Sequence, residues 1–246
     1  MINFFKKKEK TKKINHKLQL TKIFPWISKL EDNYINLSNQ DINIRIKEIL
    51  DLKKYFKTQI GINQLLDLKG SLVTSGYPEN AAQLEIDFFL ELFEDETIKN
   101  LLFNDSAGLH LHQKNGYFNK KVKVNKDFGL IRTSIGKVFI VGSSNTLLPV
   151  LTSLFLSYIA GNNTVVQLSS LHAKCVPKLI ENIPFDVAKH IHFTNLLREK
   201  EEDLSLIEAL VTNINWNVVN VWGGNNSLDF YNKIISKNTY RPRIIN

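Results

Sequence analysis

The sequence predicts an α/β protein in which a doubly wound parallel sheet follows a layer of helices. From residue 126 onward, short β-rich runs alternate with helix-like segments, which is the pattern of a parallel sheet. Residues 18–125 contain helical segments instead, of which 42–56 and 80–103 are the clearest. The stretch 136–170 has the pattern of strand, polar turn, buried helix, Gly-Asn turn and strand. It therefore predicts one complete βαβ unit.

The predicted helix 80–103 has apolar residues at three- and four-residue spacing, at Ala81, Leu84, Phe88 and Leu92. A charged stripe of the same period runs through Asp87, Glu91 and Glu94, and further apolar residues stand at Ile86, Phe89, Leu90 and Phe93. We expect a well-buried helix with one solvated edge, preceded by a Gly-Tyr-Pro turn at 76–78.

Strands and helices alternate through the second half of the chain. The predicted strands are 128–133, 137–142, 164–168, 190–193 and 217–222. The predicted helices are 147–159, 173–181, 203–212 and 227–236. Pro177 disfavours a regular helix over the second of these segments, because proline lacks the backbone donor that a helix interior needs.

The formal net charge is +8, but the first 17 residues hold +6 of it, since seven lysines there face one glutamate. We predict a solvated, disordered tail at 1–17, a helical layer at 18–125 and an α/β domain at 126–246 that is incomplete at its C-terminus. The body of the chain is nearly neutral and has no nucleic-acid recognition motif, so we expect no nucleic-acid partner. A basic nucleic-acid-binding protein is an alternative function class, and in that case the basic tail would have to carry the binding.

Cys175 is the only cysteine, which excludes an internal disulfide and a thiolate zinc cluster and favours a cytoplasmic protein. Lys22, Lys29 and Glu31 interrupt the nearest apolar segment to the basic N-terminus, so no signal peptide is expected. The longest apolar run, 147–160, is too short to cross a bilayer and predicts a core helix.

Two strand-to-helix junctions are candidate sites. Asn145 ends the polar turn after the first strand of the βαβ unit, and Gly223 with Gly224 directly follows the last predicted strand. Backbone amides and the helix dipole converge at such junctions, and glycine lets a ligand approach them closely. The plain alternatives are a turn asparagine and a sterically required glycine pair. No G-x-G-x-x-G follows any strand.

No metal site is expected. His110 and His112 lie two residues apart, which would place both on one face of a strand. They have no cysteine partner and no matching carboxylate spacing nearby, so a surface location is the simpler interpretation.

The second half of the chain resembles the acyl-CoA reductase family typified by the fatty-acid reductase of bacterial luminescence operons, a branch of the aldehyde dehydrogenase superfamily. The resemblance is clearest from Phe128 to the end. It is carried by the Asn145 turn with Pro149 following, the Gly161-Asn162 turn before Gln167-Leu168-Ser169-Ser170, and Val221-Trp222-Gly223-Gly224. The resemblance implies an aldehyde-dehydrogenase-like fold whose catalytic domain is missing from these residues, with 126–246 as the nicotinamide-cofactor-binding domain.

That family reduces a fatty acyl thioester to an aldehyde, which implies NADPH, or NADH, as cofactor. The expected partners are a fatty acyl-CoA or acyl-protein thioester, and an acyl-protein synthetase or a chain carrying the catalytic domain. Asn145 matches the asparagine that stabilises the oxyanion. Gln167, Ser169 and Ser170 match the strand end at the adenosine ribose and its phosphate, and Gly223 and Gly224 match the turn beside the pyrophosphate. For the Gln and Ser positions an ordinary polar loop is the alternative.

Two departures from the family pattern stand out. The superfamily often has a basic residue where this chain has Gln167, which leaves the choice between NADPH and NADH open. The family's nucleophilic cysteine lies beyond the Gly-Gly turn, and no cysteine follows Gly224 here. Cys175 is expected to be an inert helix-packing thiol. The chain is therefore expected to be a fragment or truncated member of the family, inactive alone. The rival hypothesis is a non-catalytic nucleotide-binding or interaction protein that retains the fold.

Overall fold

The computed structural model describes residues 20–98, 122–123, 129–130 and 134–245. The predicted tail 1–17, His110, His112 and the boundary between residues 125 and 126 lie outside the described residues. Within them, the α/β architecture predicted from the sequence is confirmed.

Helices α1 to α4 form the helical layer, at Leu30–Asn39, Ile42–Tyr55, Gln59–Thr74 and Glu79–Glu91. Two of them begin with a side-chain cap that accepts a backbone amide proton. The Asp41 carboxylate accepts from Asn43 N at 2.9 Å, and the Thr58 hydroxyl accepts from Gly61 N at 3.2 Å. Such caps satisfy first-turn amides that have no partner inside the helix and so fix where these helices begin.

The prediction for the fourth helix was wrong in length and in its buried face. The helix ends at Glu91, and residues 95–98 begin another helical segment. Ala82, Ile86 and Phe89 are its buried residues, whereas Leu84 is 53% and Phe88 47% exposed. Two apolar stripes of helical period run through this segment, and packing selects the one that contains Phe89. That ring lies 4.9 Å from the Phe93 ring, 5.4 Å from Phe56 and 5.9 Å from Phe155.

The α/β half contains β3 to β7 with four helices between them. In chain order these are β3 (Lys137–Val141), α5 (Leu148–Ile159), β4 (Asn163–Gln167), α6 (Val176–Glu181), β5 (Ile191–Thr194), α7 (Glu201–Asn213), β6 (Val218–Val221), α8 (Asn225–Ile235) and β7 (Arg243–Ile245). The five strands are all parallel, in the order β5-β4-β3-β6-β7. Successive strands are therefore added on one side of β3 as far as β5 and on its other side from β6 onward, so the winding direction changes between β3 and β6.

Three details differ from the sequence prediction. Of the predicted strand 128–133, the structure describes β2 (Gly129–Leu130), which pairs antiparallel with β1 (Val122–Lys123) and not with the parallel sheet. The helix predicted at 173–181 is divided into a 3-10 turn at His172–Lys174 and α6, because Pro177 is tolerated only at a helix start. Strand β7 was not predicted, since its three residues are all exposed and show no alternation.

The sheet is covered on both faces, as alternation along β3 shows. Val138 and Ile140 belong to a core shared with helices α2 to α6, while Phe139 and Val141 belong to a second core shared with α7, α8 and the residues before α1. Consecutive strand side chains point to opposite faces. The helical layer and one face of the sheet thus share one apolar core, and the other face of the sheet packs in a second.

Turns at the amino ends of β3 and β4 hold these strands in register. The Asn162 side-chain oxygen accepts from Ile135 N at 2.7 Å and Gly136 N at 2.9 Å. Gly136 has a φ of 122°, and a Cβ there would lie 2.4 Å from Asn217 Oδ1. Arg45, buried in the helical layer, donates to the carbonyls of Ile159 at 2.9 Å and Leu37 at 3.0 Å. These contacts tie the first helices to the end of α5.

Across the part of the chain that the structure describes, no helix is long and apolar enough to cross a membrane. The same residues include no group of three or more histidine, cysteine, aspartate or glutamate side chains that could hold a metal ion.

Candidate functional site

A cleft opens at the carboxyl ends of β3, β4 and β6, and the loop after β5 closes one side of it. It is lined by Val141, Gly142, Ser143, Ser144, Asn145, Gln167, Leu168, Ser169, Leu197, Arg198, Glu199, Trp222, Gly223, Gly224, Ser227 and Tyr231. The cleft includes the point where the chain changes direction across the sheet, between β3 and β6. Open α/β sheets bind their ligands at this place.

Five of the six residues predicted for the site line this one cleft: Asn145, Gln167, Ser169, Gly223 and Gly224. Ser170 is exposed and does not line it. The parallel sheet explains the convergence, because the carboxyl ends of its strands meet at the same edge.

Asn145 lies in the turn between β3 and α5, with its side chain exposed to the cleft. The Ser144 hydroxyl donates to Asn145 Oδ1 at 3.1 Å. This contact occupies the acceptor end of the amide and directs its nitrogen away from Ser144. The amide nitrogen can then donate to a group bound in the cleft.

Gln167 lines the cleft, but its side chain serves the framework. The residue is 4% exposed. Its Nε2 donates to Leu196 O at 3.1 Å, and its Oε1 accepts from the Tyr231 hydroxyl at 2.7 Å. Both ends of the amide are thus engaged in joining β4 to the β5 loop and to α8. The ribose contact predicted for Gln167 is not available to this side chain in the observed arrangement.

Ser169 is held by a chain of hydrogen bonds that reaches into the helical layer. Its hydroxyl lies 3.2 Å from His172 Nδ1, and His172 Nε2 lies 3.0 Å from the Tyr77 hydroxyl. Burial lowers the pKa of His172 and raises the pKa of Tyr77 to about 12. The imidazole is therefore neutral at pH 7 and positions the Ser169 hydroxyl at the end of β4.

Gly223 and Gly224 connect β6 to α8, and each lacks a side chain for a different reason. A Cβ on Gly223 would lie 2.9 Å from the Ser227 Cβ, so glycine is required there by packing. A Cβ on Gly224 would meet nothing within 4 Å, because that position faces open space in the cleft. Gly224 is also the N-cap of α8, and no side chain caps that helix among the described residues. Ser227 N donates to Gly224 O at 2.9 Å, which leaves the Asn225 and Asn226 amides of the first turn to bind an anion.

The N-terminus of α5, which also begins at this edge, is already occupied. The Glu85 carboxylate, from α4, accepts from Leu148 N at 2.9 Å and from Leu147 N at 3.2 Å. A carboxylate there satisfies the first amides of α5 and interacts favourably with the positive end of its dipole. The N-terminus of α7, which follows the loop after β5, has no side-chain cap either, but Glu201, Glu202 and Asp203 in its first turn disfavour a bound anion. Of α5, α7 and α8, the last is therefore the one whose N-terminus suits an anionic ligand.

Arg198 is a site residue that the sequence analysis did not identify. It lies in the loop after β5, where its Nη1 donates to Ser227 Oγ at 2.7 Å and its guanidinium lies 5.9 Å from the centre of the Phe230 ring. The signal in the sequence was its place: a charged residue in the loop after a predicted parallel strand belongs to the ligand-binding edge.

Cys175 lies outside the cleft. It stands between the 3-10 turn and α6, is 4% exposed, and its thiol donates to His172 O at 3.5 Å. Burial raises the pKa of the thiol. Such a cysteine is a poor nucleophile, as the sequence analysis expected of it.

No protein-family model and no curated protein matches this sequence. Solved structures of aldehyde dehydrogenases do match the fold. A glyceraldehyde-3-phosphate dehydrogenase from Methanocaldococcus jannaschii, complexed with NADP, matches with a TM-score of 0.66 and 16% identity over 93% of this chain and 45% of its own. An NAD-dependent benzaldehyde dehydrogenase from Corynebacterium glutamicum matches with a TM-score of 0.65 and 11% identity over 89% and 44%.

A third structure, a succinic semialdehyde dehydrogenase from Streptococcus pyogenes in complex with NADP⁺, matches with a TM-score of 0.64 and 10% identity over 90% of this chain and 44% of that one. The chain thus spans less than half the length of these enzymes. The parallel sheet, its covering helices and these structural matches show that the chain has the fold of the corresponding part of an aldehyde dehydrogenase.

Proposed function

We propose that the cleft binds a nicotinamide dinucleotide, NADPH in preference to NADH. The observation that carries the proposal is the meeting, at one sheet edge, of an uncapped helix N-terminus, a glycine that faces open space and a hydrogen-bonded serine at the end of β4. These features suit the pyrophosphate and the ribose of a dinucleotide. Two of the structures with this fold are complexes with NADP or NADP⁺, which supports the assignment.

The residues present fit such a ligand. The first-turn amides of α8 would hold the pyrophosphate, and the absence of a Cβ at Gly224 leaves room for it. Ser169, held by His172, would donate to or accept from a ribose hydroxyl. When bound, the nicotinamide group supplies a hydride. The remaining chemistry depends on the residues that surround the acceptor.

We further propose that the reaction is the reduction of a fatty acyl thioester, acyl-CoA or acyl-protein, to a fatty aldehyde. The Asn145 amide nitrogen would donate to the oxygen that becomes negative as the thioester carbonyl is attacked. This proposal rests on the resemblance in sequence to acyl-CoA reductases, together with the position of Asn145 in the cleft. The coarser proposal, an NAD(P)-dependent aldehyde oxidoreductase, follows from the fold.

The nucleophile of this reaction is not supplied by the residues of the cleft. The sole cysteine of the sequence is buried away from it, and its thiol pKa is raised. The attacking thiolate would therefore come from a catalytic domain, carried by further sequence or by a partner chain. An acyl-protein synthetase would be the partner that delivers the acyl group. We place this reaction in the cytoplasm.

A second function follows from the same observation. A chain with an intact dinucleotide cleft and no available thiolate can act as a non-catalytic nucleotide-binding or interaction protein. The two functions differ in turnover: the reductase, once complete, consumes NADPH with acyl-CoA, whereas the binding protein binds NADPH without consuming it.

The test is isothermal titration of NADPH into the protein and its Gly224→Val variant. Valine at this position points into open space, so the fold is retained while the pyrophosphate position is filled. We expect saturable binding by the wild-type protein and loss of at least tenfold in affinity for the variant. Gly70→Val is the matched control, because Gly70 is exposed on α3 and a Cβ there also meets nothing within 4 Å. Equal binding by both variants would remove the Gly-Gly turn from the site.

A further inference from the structure

Arg198 is the single cation that lines the cleft among the residues that the structure describes. Its partners there are a neutral hydroxyl and an aromatic ring, Ser227 and Phe230. No described carboxylate lies within 4.0 Å of its guanidinium in an ion pair. The positive charge is thus held in place without being neutralised. A guanidinium held in this way is suited to bind a phosphate, since its remaining donors keep their planar geometry.

Its surroundings leave it exposed to a ligand on one side only. The bond from Nη1 to Ser227 Oγ, at 2.7 Å, uses one of the five donors. The Phe230 ring, 5.9 Å away, covers part of one face. Glu199 also lines the cleft, but its side chain is exposed, so water and salt screen its charge. The half-buried guanidinium remains the stronger local charge.

The position of Arg198 favours one of the phosphates of a dinucleotide. Its partner Ser227 lies in the first turn of α8, after the Asn225 and Asn226 amides that suit the pyrophosphate, and Phe230 lies further along the helix. Arg198 itself comes from the loop after β5, and β5 is the neighbour of β4 on the side away from β3. Leu196, two residues before Arg198, accepts from Gln167 Nε2 at the end of β4 at 3.1 Å. An anion at Arg198 therefore lies beside the end of β4, where Ser169 would meet the ribose.

The strand end itself offers no charge for a phosphate. Gln167, the last residue of β4, is neutral, and both ends of its amide bond to Leu196 and Tyr231. A second phosphate on the adenosine ribose would thus have to find its counter-charge on a neighbouring element. Arg198 provides that charge.

We propose that Arg198 binds the 2′-phosphate of the adenosine ribose and so determines a preference for NADPH over NADH. The proposal rests on the proposed function, because it assumes that the cleft binds a nicotinamide dinucleotide. It adds a specificity residue that reaches the ribose from a different strand than Gln167.

The test compares NADPH and NADH binding by the wild-type protein, Arg198→Gln and Lys200→Gln. Lys200 is the matched control, since it lies two residues away, is exposed and does not line the cleft. We expect the wild-type protein to bind NADPH more tightly. Arg198→Gln should weaken NADPH about ten- to a hundredfold, the effect of one charged hydrogen bond, and leave NADH within about twofold. Lys200→Gln should change neither affinity. Thermal unfolding of each variant checks that the fold is retained.

The outcomes separate this inference from the proposed function. If the wild-type protein binds neither nucleotide, the proposed function fails and the inference fails with it. If both bind and Arg198→Gln weakens them equally, Arg198 serves the pyrophosphate, and the proposed specificity is wrong. If that variant changes neither affinity, or if the wild-type protein binds NADH as tightly as NADPH, the inference is overturned while the dinucleotide cleft stands.

Discussion

Asn145 and Gln167 illustrate two different fates of a polar residue at a strand end. Asn145 follows β3, Gln167 is the last residue of β4, and both line the cleft. The Asn145 side chain is exposed, and only its oxygen is engaged, by Ser144. The Gln167 side chain is buried, and both its oxygen and its nitrogen are engaged. A polar group available for a ligand is one whose own hydrogen bonds the protein has not already satisfied.

Asn145→Ala tests the proposed role of that amide in the catalytically complete enzyme. We expect turnover of acyl-CoA to fall roughly ten- to a thousandfold, because one preorganised donor to the oxyanion is lost. NADPH affinity should stay unchanged. Asn232→Ala is the control, since Asn232 is an exposed residue of α8 that does not line the cleft. Unchanged turnover in Asn145→Ala would reject the oxyanion role.

The sequence anticipated which residues come together in one cleft, but it did not anticipate how the Gln167 side chain is oriented. Five of the six predicted residues reached the cleft because the ends of parallel strands converge. The inward rotation of Gln167 depends on Tyr231, 64 residues later, and no local pattern contains that partner. Arg198 was missed for a related reason: its only identifying property was its place in a loop after a strand.

At the scale of elements, α4 packs in the core and also supplies a hydrogen-bond acceptor to the start of α5, beside the cleft. Its buried residues, Ala82, Ile86 and Phe89, anchor it in the core. With these residues buried, Glu85 lies at the start of α5. Its carboxylate accepts hydrogen bonds from the first backbone amides of that helix. The sequence predicted both apolar stripes of this helix to be buried, but Leu84 and Phe88 of one stripe are exposed. Both stripes have helical spacing, so only the partner surface could decide between them.

Glu85→Ala should lower the free energy of unfolding by about 1 to 2 kcal/mol, because the first amides of α5 lose a charged acceptor. Glu85→Gln should lower it less, since an amide oxygen still accepts a hydrogen bond but carries no charge. Urea denaturation measures both changes. The control is Glu91→Ala, at an exposed position of the same helix. Glu85→Ala without loss of stability would mean that this contact does not cap α5.

At the scale of the molecule, one apolar core joins the helical layer to the sheet. Leucine, isoleucine and phenylalanine residues of α2 to α4 pack in the same cluster as α5 and one face of β3. The sequence predicted the order of elements, because periodicity is a local property. It did not predict that β1 and β2 pair apart from the sheet, or that β7 joins it. Both depend on pairing with distant strands rather than on patterns within a segment.

The whole fold places its open helix end, its free glycine position and its unneutralised arginine around one cleft. From this arrangement we infer a nicotinamide dinucleotide site across the ends of β3, β4 and β6.

A crystal structure of the protein grown with NADPH would show whether the dinucleotide binds in this cleft. We predict density for the pyrophosphate at the first-turn amides of α8 beside Gly224, for the adenosine ribose at Ser169, and for the 2′-phosphate at Arg198. Density for the dinucleotide elsewhere, or none at saturating NADPH, would contradict the account.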